Sequence, residues 1–236
     1  MKVRVAYIEE PPFYWTAEDG SVLGSDIELA DAVLRAMGVT AIEYHPTTFA
    51  EFLPGVQEGR WDMNVPIFVS EERAKLVAFS RPIWALGDGF LVLPGNPKAL
   101  CSYESLAARD DARLGLISGT VQIGAAKSAG VGDDQMIVFQ DQSDAIAALR
   151  EGKIDAYVGT AVGNRALAQI HPGLETIAHE QSKNTKAPVG AFSFNKNAHG
   201  LLQAVNEQLH KYLGTPDHRS RMAKYGITQT EIDGAL

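Results

Sequence analysis

The sequence predicts an α/β fold of two lobes joined by two strands. Strand-like and helix-like segments alternate along most of the chain, the pattern of a sheet covered on both faces. The alternation halts at Pro94-Gly95-Asn96-Pro97, a turn or boundary, and then resumes with the same grammar. A second extended crossing, Pro188 to Phe194, precedes a long amphipathic helix over Leu201 to Leu213. At 236 residues the chain can bury a sizeable core, as one large domain or two smaller lobes.

Val3 to Ile8 is largely apolar with β-branched residues and predicts the first strand. The prolines of Glu9-Glu10-Pro11-Pro12-Phe13 make the next stretch a loop. Asp26 to Met37 sets Ile27, Ala30, Val33, Leu34 and Met37 at helical spacing, with Asp26 as N-cap and Gly38 as the stop. Ala41 to His45 predicts a strand and Phe49 to Gln57 a helix, with Pro54 weighing against its middle. A strand over Met63 to Ile67 and a helix start at Ser70-Glu71-Glu72-Arg73 follow, then an extended run from Phe90 to Leu93.

In the second half Arg113 to Ile117, Met136 to Phe139 and Ile154 to Val158 predict strands. Ser118-Gly119-Thr120 reads as a tight turn and Gln122 to Ala129 as a helix. A further helix over Ser143 to Arg150 is capped by Ser143 and stopped by Gly152.

A formal charge of -8 argues against a nucleic-acid or anionic-membrane surface, which would favour a basic patch. Cys101 is the sole cysteine, so an internal disulfide and a thiol-rich metal site are excluded, and it reads as a small buried hydrophobe. The six histidines lack HExxH or comparable spacing, and His210 and His218 are expected to be exposed. No metal and no cofactor is called for. No apolar window reaches the ~18 residues of a membrane span. The chain begins Met1-Lys2-Val3-Arg4-Val5, directly as a strand. That beginning fits a cytoplasmic protein or one whose export signal has been replaced by a start methionine.

An ordered set of strings carries a resemblance. Gly24-Ser25-Asp26-Ile27-Glu28-Leu29-Ala30, Glu58-Gly59-Arg60-Trp61-Asp62, and Ser70-Glu71-Glu72-Arg73 with Phe79-Ser80-Arg81-Pro82 resemble the first lobe of polar-amino-acid-type periplasmic solute-binding proteins, family 3. Ser118-Gly119-Thr120 and Gly152-Lys153-Ile154-Asp155-Ala156 resemble the second. The resemblance implies a type II clamshell with two hinge strands, lobe 1 comprising 1–85 plus 190–236 and lobe 2 comprising 86–189. The crossings would lie near Trp84 to Gly89 and Ala187 to Ala191. It also implies an extracytoplasmic, monomeric binding protein of an ABC transporter, closing on a small zwitterionic ligand and passing it to a membrane permease.

By the same resemblance Arg73 is the carboxylate-binding arginine, for which a planar guanidinium suits two parallel charge-assisted hydrogen bonds. The turn at Thr120 and Val121 would grip that carboxylate from the second lobe. Departures from the usual pattern are informative: Thr160 replaces an acid, Phe68 a threonine, Pro66 a glycine and Tyr7 an early acid. The usual ammonium cage is therefore incomplete. In its place stand Glu10 and the aromatic residues Phe13, Phe49 and Phe68, a set suited to a delocalised or alkylated cation. This combination resembles the ectoine-binding branch. Trp84 and Trp15 are candidates for the same aromatic wall, Trp84 equally for hinge packing. A cationic or unusual amino acid is the competing ligand, and each phenylalanine has packing as its alternative role. A cyclohexadienyl-type dehydratase, with Glu10 as general acid, and a ligand-sensing module are the competing functions.

Overall fold

The computed structural model describes residues 2–179 and 187–236. The chain divides into two compact units, Met1–Leu86 with Ala187–Leu236, and Gly87–Lys186. The stretch 180–186, placed by sequence in the second lobe, lies outside the described residues. The first segment carries β1 (Lys2–Tyr7), β2 (Trp15–Thr16), β3 (Val22–Leu23), α1 (Ser25–Ala36), β4 (Ala41–Pro46), α2 (Phe49–Gln57), β5 (Met63–Phe68), α3 (Glu71–Leu76), β6 (Ala78–Phe79) and β7 (Trp84–Ala85). The second unit holds β8 (Asp88–Val92), α4 (Tyr103–Ala107), β9 (Leu114–Ile117), α5 (Gln122–Ser128), β10 (Met136–Phe139), α6 (Gln142–Arg150), β11 (Ala156–Thr160), α7 (Ala161–Ile170) and β12 (Glu175–Ala178). The chain then returns to the first unit with β13 (Val189–Phe194), α8 (His199–Tyr212), α9 (Pro216–Ala223) and α10 (Gln229–Asp233).

The first sheet runs β4-β1-β5-β13-β6, with β7 also on β13; β1 is parallel to β4 and β5, and β13 is antiparallel to β5. The second runs β10-β9-β11-β8-β12, with β9 parallel to both neighbours and β8 antiparallel to both of its own. Buried side chains lie on both faces of that second sheet, Phe90, Leu114 and Val158 in one cluster and Leu91, Leu149 and Tyr157 in the other.

The two glycine-to-aspartate strings turn out to be one structural device used twice. Asp62 donates its N–H to the Arg4 carbonyl at 3.0 Å and accepts the Arg4 N–H at 2.8 Å. Asp155 makes the same exchange with Arg113, at 2.8 Å each way. Each aspartate thereby ties the entry of a central strand to the strand beside it.

Several local expectations change. The α1 N-cap is Gly24, whose φ of 136° and close approach to the preceding loop admit no side chain: a Cβ there would lie 2.1 Å from the Phe13 carbonyl oxygen. Ser25 and Asp26 donate their N–H groups to the Pro12 and Phe13 carbonyls at 3.0 Å, so the loop satisfies the start of the helix. Asp141, not Ser143, caps α6, and the Ser143 hydroxyl donates to it at 2.7 Å. Pro54 stands inside α2 without ending it. Cys101 is exposed rather than buried. His210 is exposed, but His218 is 1% exposed, and burial pushes its pKa down to about 4 while its Nδ1 accepts from the Gly214 N–H. The periodic pattern of a short helix cannot distinguish a packed histidine from a solvated one.

Asp26 is 0% exposed. Trp84 Nε1 lies 3.3 Å from both of its carboxyl oxygens, and Ser25 Oγ donates at 3.3 Å. Burial pushes the Asp26 pKa up to about 8, against the two hydrogen bonds, with the negative field of Glu10 adding to the rise.

Gly24→Ala should lower stability by well over the roughly 1–2 kcal/mol expected of Gly38→Ala, where only a left-handed backbone is at issue. Urea unfolding of the pair checks this, and equal losses would remove the Phe13 contact as the cause. The raised Asp26 pKa also has a sign. Its stabilising proton is fully held below the unfolded carboxyl value of about 4, and that contribution is lost as pH rises towards about 8. Asp26→Asn should therefore gain on the wild type between those limits. A pH-independent difference would place the ionisation elsewhere.

Candidate functional site

In both units the residues singled out by sequence stand at or just beyond the carboxyl ends of parallel strands, where open α/β sheets bind ligands. In the first unit the loop after β1 supplies Glu10 and Phe13, the start of α2 after β4 supplies Phe49, and β5 with α3 supplies Phe68 and Arg73.

Arg73 is 8% exposed. The cap of α3 holds its backbone, the Arg73 N–H donating to Ser70 Oγ at 3.2 Å. Its Nη1 donates to the Phe68 carbonyl at 2.8 Å, and the guanidinium carbon stands 5.4 Å from the Phe49 ring centroid, within cation–π range. Burial lowers its pKa from the ordinary arginine value, while Tyr14 and Glu10 oppose the shift.

Glu10 is half-buried and accepts from the Tyr14 hydroxyl at 3.0 Å. The backbones of these two residues form an antiparallel bridge, which turns the proline loop back on itself. Burial raises the Glu10 pKa; the Tyr14 hydrogen bond and the Arg73 charge act against it. Glu9 is exposed and takes the N–H of Thr16 at 3.0 Å, so the two neighbouring acids have different roles.

Trp84 organises the aromatic residues. Phe68 meets its ring edge-on at 5.2 Å and 84°, and Phe13 lies 6.1 Å from it at 36°. Gly190 leaves room for the indole, since a Cβ there would fall 2.0 Å from the Trp84 ring. Trp15 meets Tyr225 at 6.2 Å instead. Pro66 is buried in β5 where the register with β13 shifts: Ile67 faces Ala191 and Asn64 faces Ser193, so Val65 and Pro66 together oppose Phe192. A residue without an N–H is tolerated at such a bulge. Tyr7, at the end of β1, is buried, and its hydroxyl pairs with Thr16 Oγ1 at 2.7 Å.

The structure thus brings Glu10, Phe13, Phe49, Phe68 and Arg73 into one cluster and adds three residues to it. Tyr14 escaped sequence reading because two prolines separate it from Glu10 and no periodicity links them. Asp26 fits the local pattern of an N-cap, which hides its place in the interior. Trp84, a candidate for either the wall or hinge packing, stands beside Phe13 and Phe68.

In the second unit the Thr120 hydroxyl donates to the Ile117 carbonyl at 2.8 Å, and the Thr120 N–H points to the same oxygen at 3.3 Å. Both donors of Thr120 close the turn over Gly119, whose φ is 80°. Val121 is half-buried at the start of α5. Thr160 is buried and caps α7, accepting from the Gly163 N–H at 3.0 Å. Beside α5, Asp88 accepts from the Gln122 side-chain amide at 2.9 Å and from the Tyr103 hydroxyl at 2.7 Å, a polar set with no signature in the sequence pattern. Burial raises the Asp88 pKa.

Among the described residues no helix is long and apolar enough to cross a membrane. Residues 3–226 match the model of bacterial extracellular solute-binding proteins, family 3. The chain is 30% identical to the probable amino-acid ABC transporter periplasmic-binding protein y4tE of Sinorhizobium fredii, over 98% of this chain and 78% of that protein. It is 26% identical to the L-cystine-binding protein TcyJ of Escherichia coli, over 84% of this chain and 72% of that one. Among solved structures, EhuB in complex with hydroxyectoine is similar at a TM-score of 0.86 and 27% identity, covering 96% of this chain and 89% of EhuB. An ancestral arginine-binding protein bound to glutamine is similar at 0.83 and 27%, covering 95% and 97%. The α/β fold is that of the two-lobed type II periplasmic-binding proteins, as the sequence led one to expect. With a match running across nearly its whole length, the chain belongs to family 3 of the bacterial extracellular solute-binding proteins, the class that serves amino-acid ABC transporters.

Proposed function

We propose that this protein binds an ectoine-type zwitterion outside the cytoplasm and delivers it, as a monomer, to the membrane permease of an ABC importer. The observation that carries the reading is the set of Phe13, Phe49 and Phe68 gathered with Trp84, one buried arginine and the carboxyl group of Glu10, while the second acid, Asp26, is taken up by the Trp84 indole. A buried guanidinium suits the ligand carboxylate, and aromatic faces beside the Glu10 carboxyl group suit a delocalised cation. A primary ammonium would call for more hydrogen-bond acceptors than this set offers. Similarity to a hydroxyectoine-bound protein supports the same ligand class. Thr120, Val121 and Thr160 are the second unit's proposed contribution, and Pro66 acts by shaping the strand that carries Phe68. With both donors of Thr120 engaged in its own turn, the hydroxyl offers acceptors only.

A cationic amino acid is the second reading, supported by similarity to an ancestral arginine-binding protein bound to arginine, at a TM-score of 0.81 and 28% identity. A dehydratase has less support, because the relatives named above are binding proteins and Glu10 is held as an acceptor by Tyr14.

A thermal-shift screen of ectoine, hydroxyectoine, betaines, proteinogenic amino acids and cyclohexadienyl acids separates these readings. Ligand at ~100 times its Kd adds about 2.7 kcal/mol to apparent stability. A shift confined to standard amino acids overturns the ectoine-type reading. For whichever compound binds, Arg73→Ala should weaken affinity at least about 30-fold in calorimetry, and Arg73→Lys should not restore it. Undiminished affinity would remove Arg73 from the site. Phe68→Thr should move preference towards ordinary amino acids. Glu10→Gln should harm cationic ligands selectively, and equal losses with neutral analogues would exclude a charge role.

A further inference from the structure

We propose that Asp26 is a positioning residue for the aromatic wall: its carboxyl group holds the Trp84 indole and its backbone N–H holds the loop that presents Phe13. The inference rests on the proposed use of that wall for ligand binding. It starts from an oddity of composition. A fully buried carboxyl group is costly, and an apolar residue of similar size at the same place would avoid that cost. The side-chain donors that meet Asp26 are neutral, Trp84 Nε1 at 3.3 Å to each oxygen and Ser25 Oγ at 3.3 Å, so charge pairing does not explain it.

What the group does achieve is geometric. An indole has one donor, and directing it fixes the rotation of the whole ring system. Gly190 supports one face of that indole, while Phe68 and Phe13 abut it at 5.2 and 6.1 Å. From the same residue, the Asp26 N–H donates to the Phe13 carbonyl at 3.0 Å, with Gly24 packed against that carbonyl. One residue therefore sets both rings that flank the wall. The negative field of Glu10 acts on Asp26, and Tyr14 and Arg73 act in turn on Glu10.

The first test needs no ligand. In protein with ¹⁵N-labelled tryptophan, the Trp84 Nε1–H resonance, assigned by its loss in Trp84→Phe, should move downfield as pH rises through about 8, because an indole bonds more strongly to a carboxylate than to its acid. In Asp26→Asn that titration should vanish while the resonance persists. A Trp84 resonance indifferent to both pH and Asp26→Asn overturns the proposal. The second test uses ectoine and L-arginine as probes. Asp26→Leu should weaken whichever binds by about 10-fold, the scale of an aromatic packing contact, and Asp26→Asn should largely preserve affinity. In a Trp84→Phe background the effect of Asp26→Leu should disappear, and equal losses in both backgrounds would reject action through Trp84. If neither probe binds the wild type, the proposed ligand class fails, and the resonance test still decides what Asp26 does.

Discussion

Removing charge from water is the constraint around which the first unit is built. Arg73, Asp26 and Glu10 all lie wholly or partly out of solvent within one set of loops, and none can stay there without a designated partner. The partners come from different parts of the chain: the Phe68 carbonyl at the end of β5, the Tyr14 hydroxyl beyond two prolines, the Trp84 indole in β7. Meeting those requirements dictates the path of the loop after β1, the bulge in β5 and the glycines at 24 and 190. Packing of apolar residues holds the sheet together, but the polar requirements decide which loop conformations are permitted around it.

The two units share more than an alternation of strands and helices. In each, an aspartate at the entry to a central strand exchanges two backbone-directed hydrogen bonds with an arginine within or just before the adjacent strand. That exchange fixes register at the end of the sheet away from the candidate residues. The opposite end is then left to vary, and it does: aromatic rings and buried charge in one unit, a tight turn and capped helices in the other. The register-fixing exchanges and the candidate residues thus stand at opposite ends of the same strands.

Most strands and, apart from α7 over Ala161–Ile170, the longer helices were legible in the sequence, because β-branched runs and helical spacing report local structure directly. So was the gathering of Glu10, Phe13, Phe49, Phe68 and Arg73, although that came through the family resemblance rather than through periodicity. The misread residues share one physical character: their placement depends on contacts between segments distant in sequence. Asp26 fits the local pattern of a cap, and only Trp84, far along the chain, makes it an interior residue. His218 is buried through the packing of α9, and Cys101 is exposed because it precedes the short capped helix α4 at the surface of its unit. The small hairpin of β2 and β3 and the strand β12 left no pattern long enough to read.

The exposure of Cys101 has a practical side. The second unit presents a lone accessible thiol in a chain that has no other cysteine to compete for a reagent. A maleimide dye or nitroxide therefore goes to one known address without any prior mutagenesis. A second cysteine placed on the first unit would complete a spectroscopic pair, with one label on each unit, so half of that preparation is already present in the sequence.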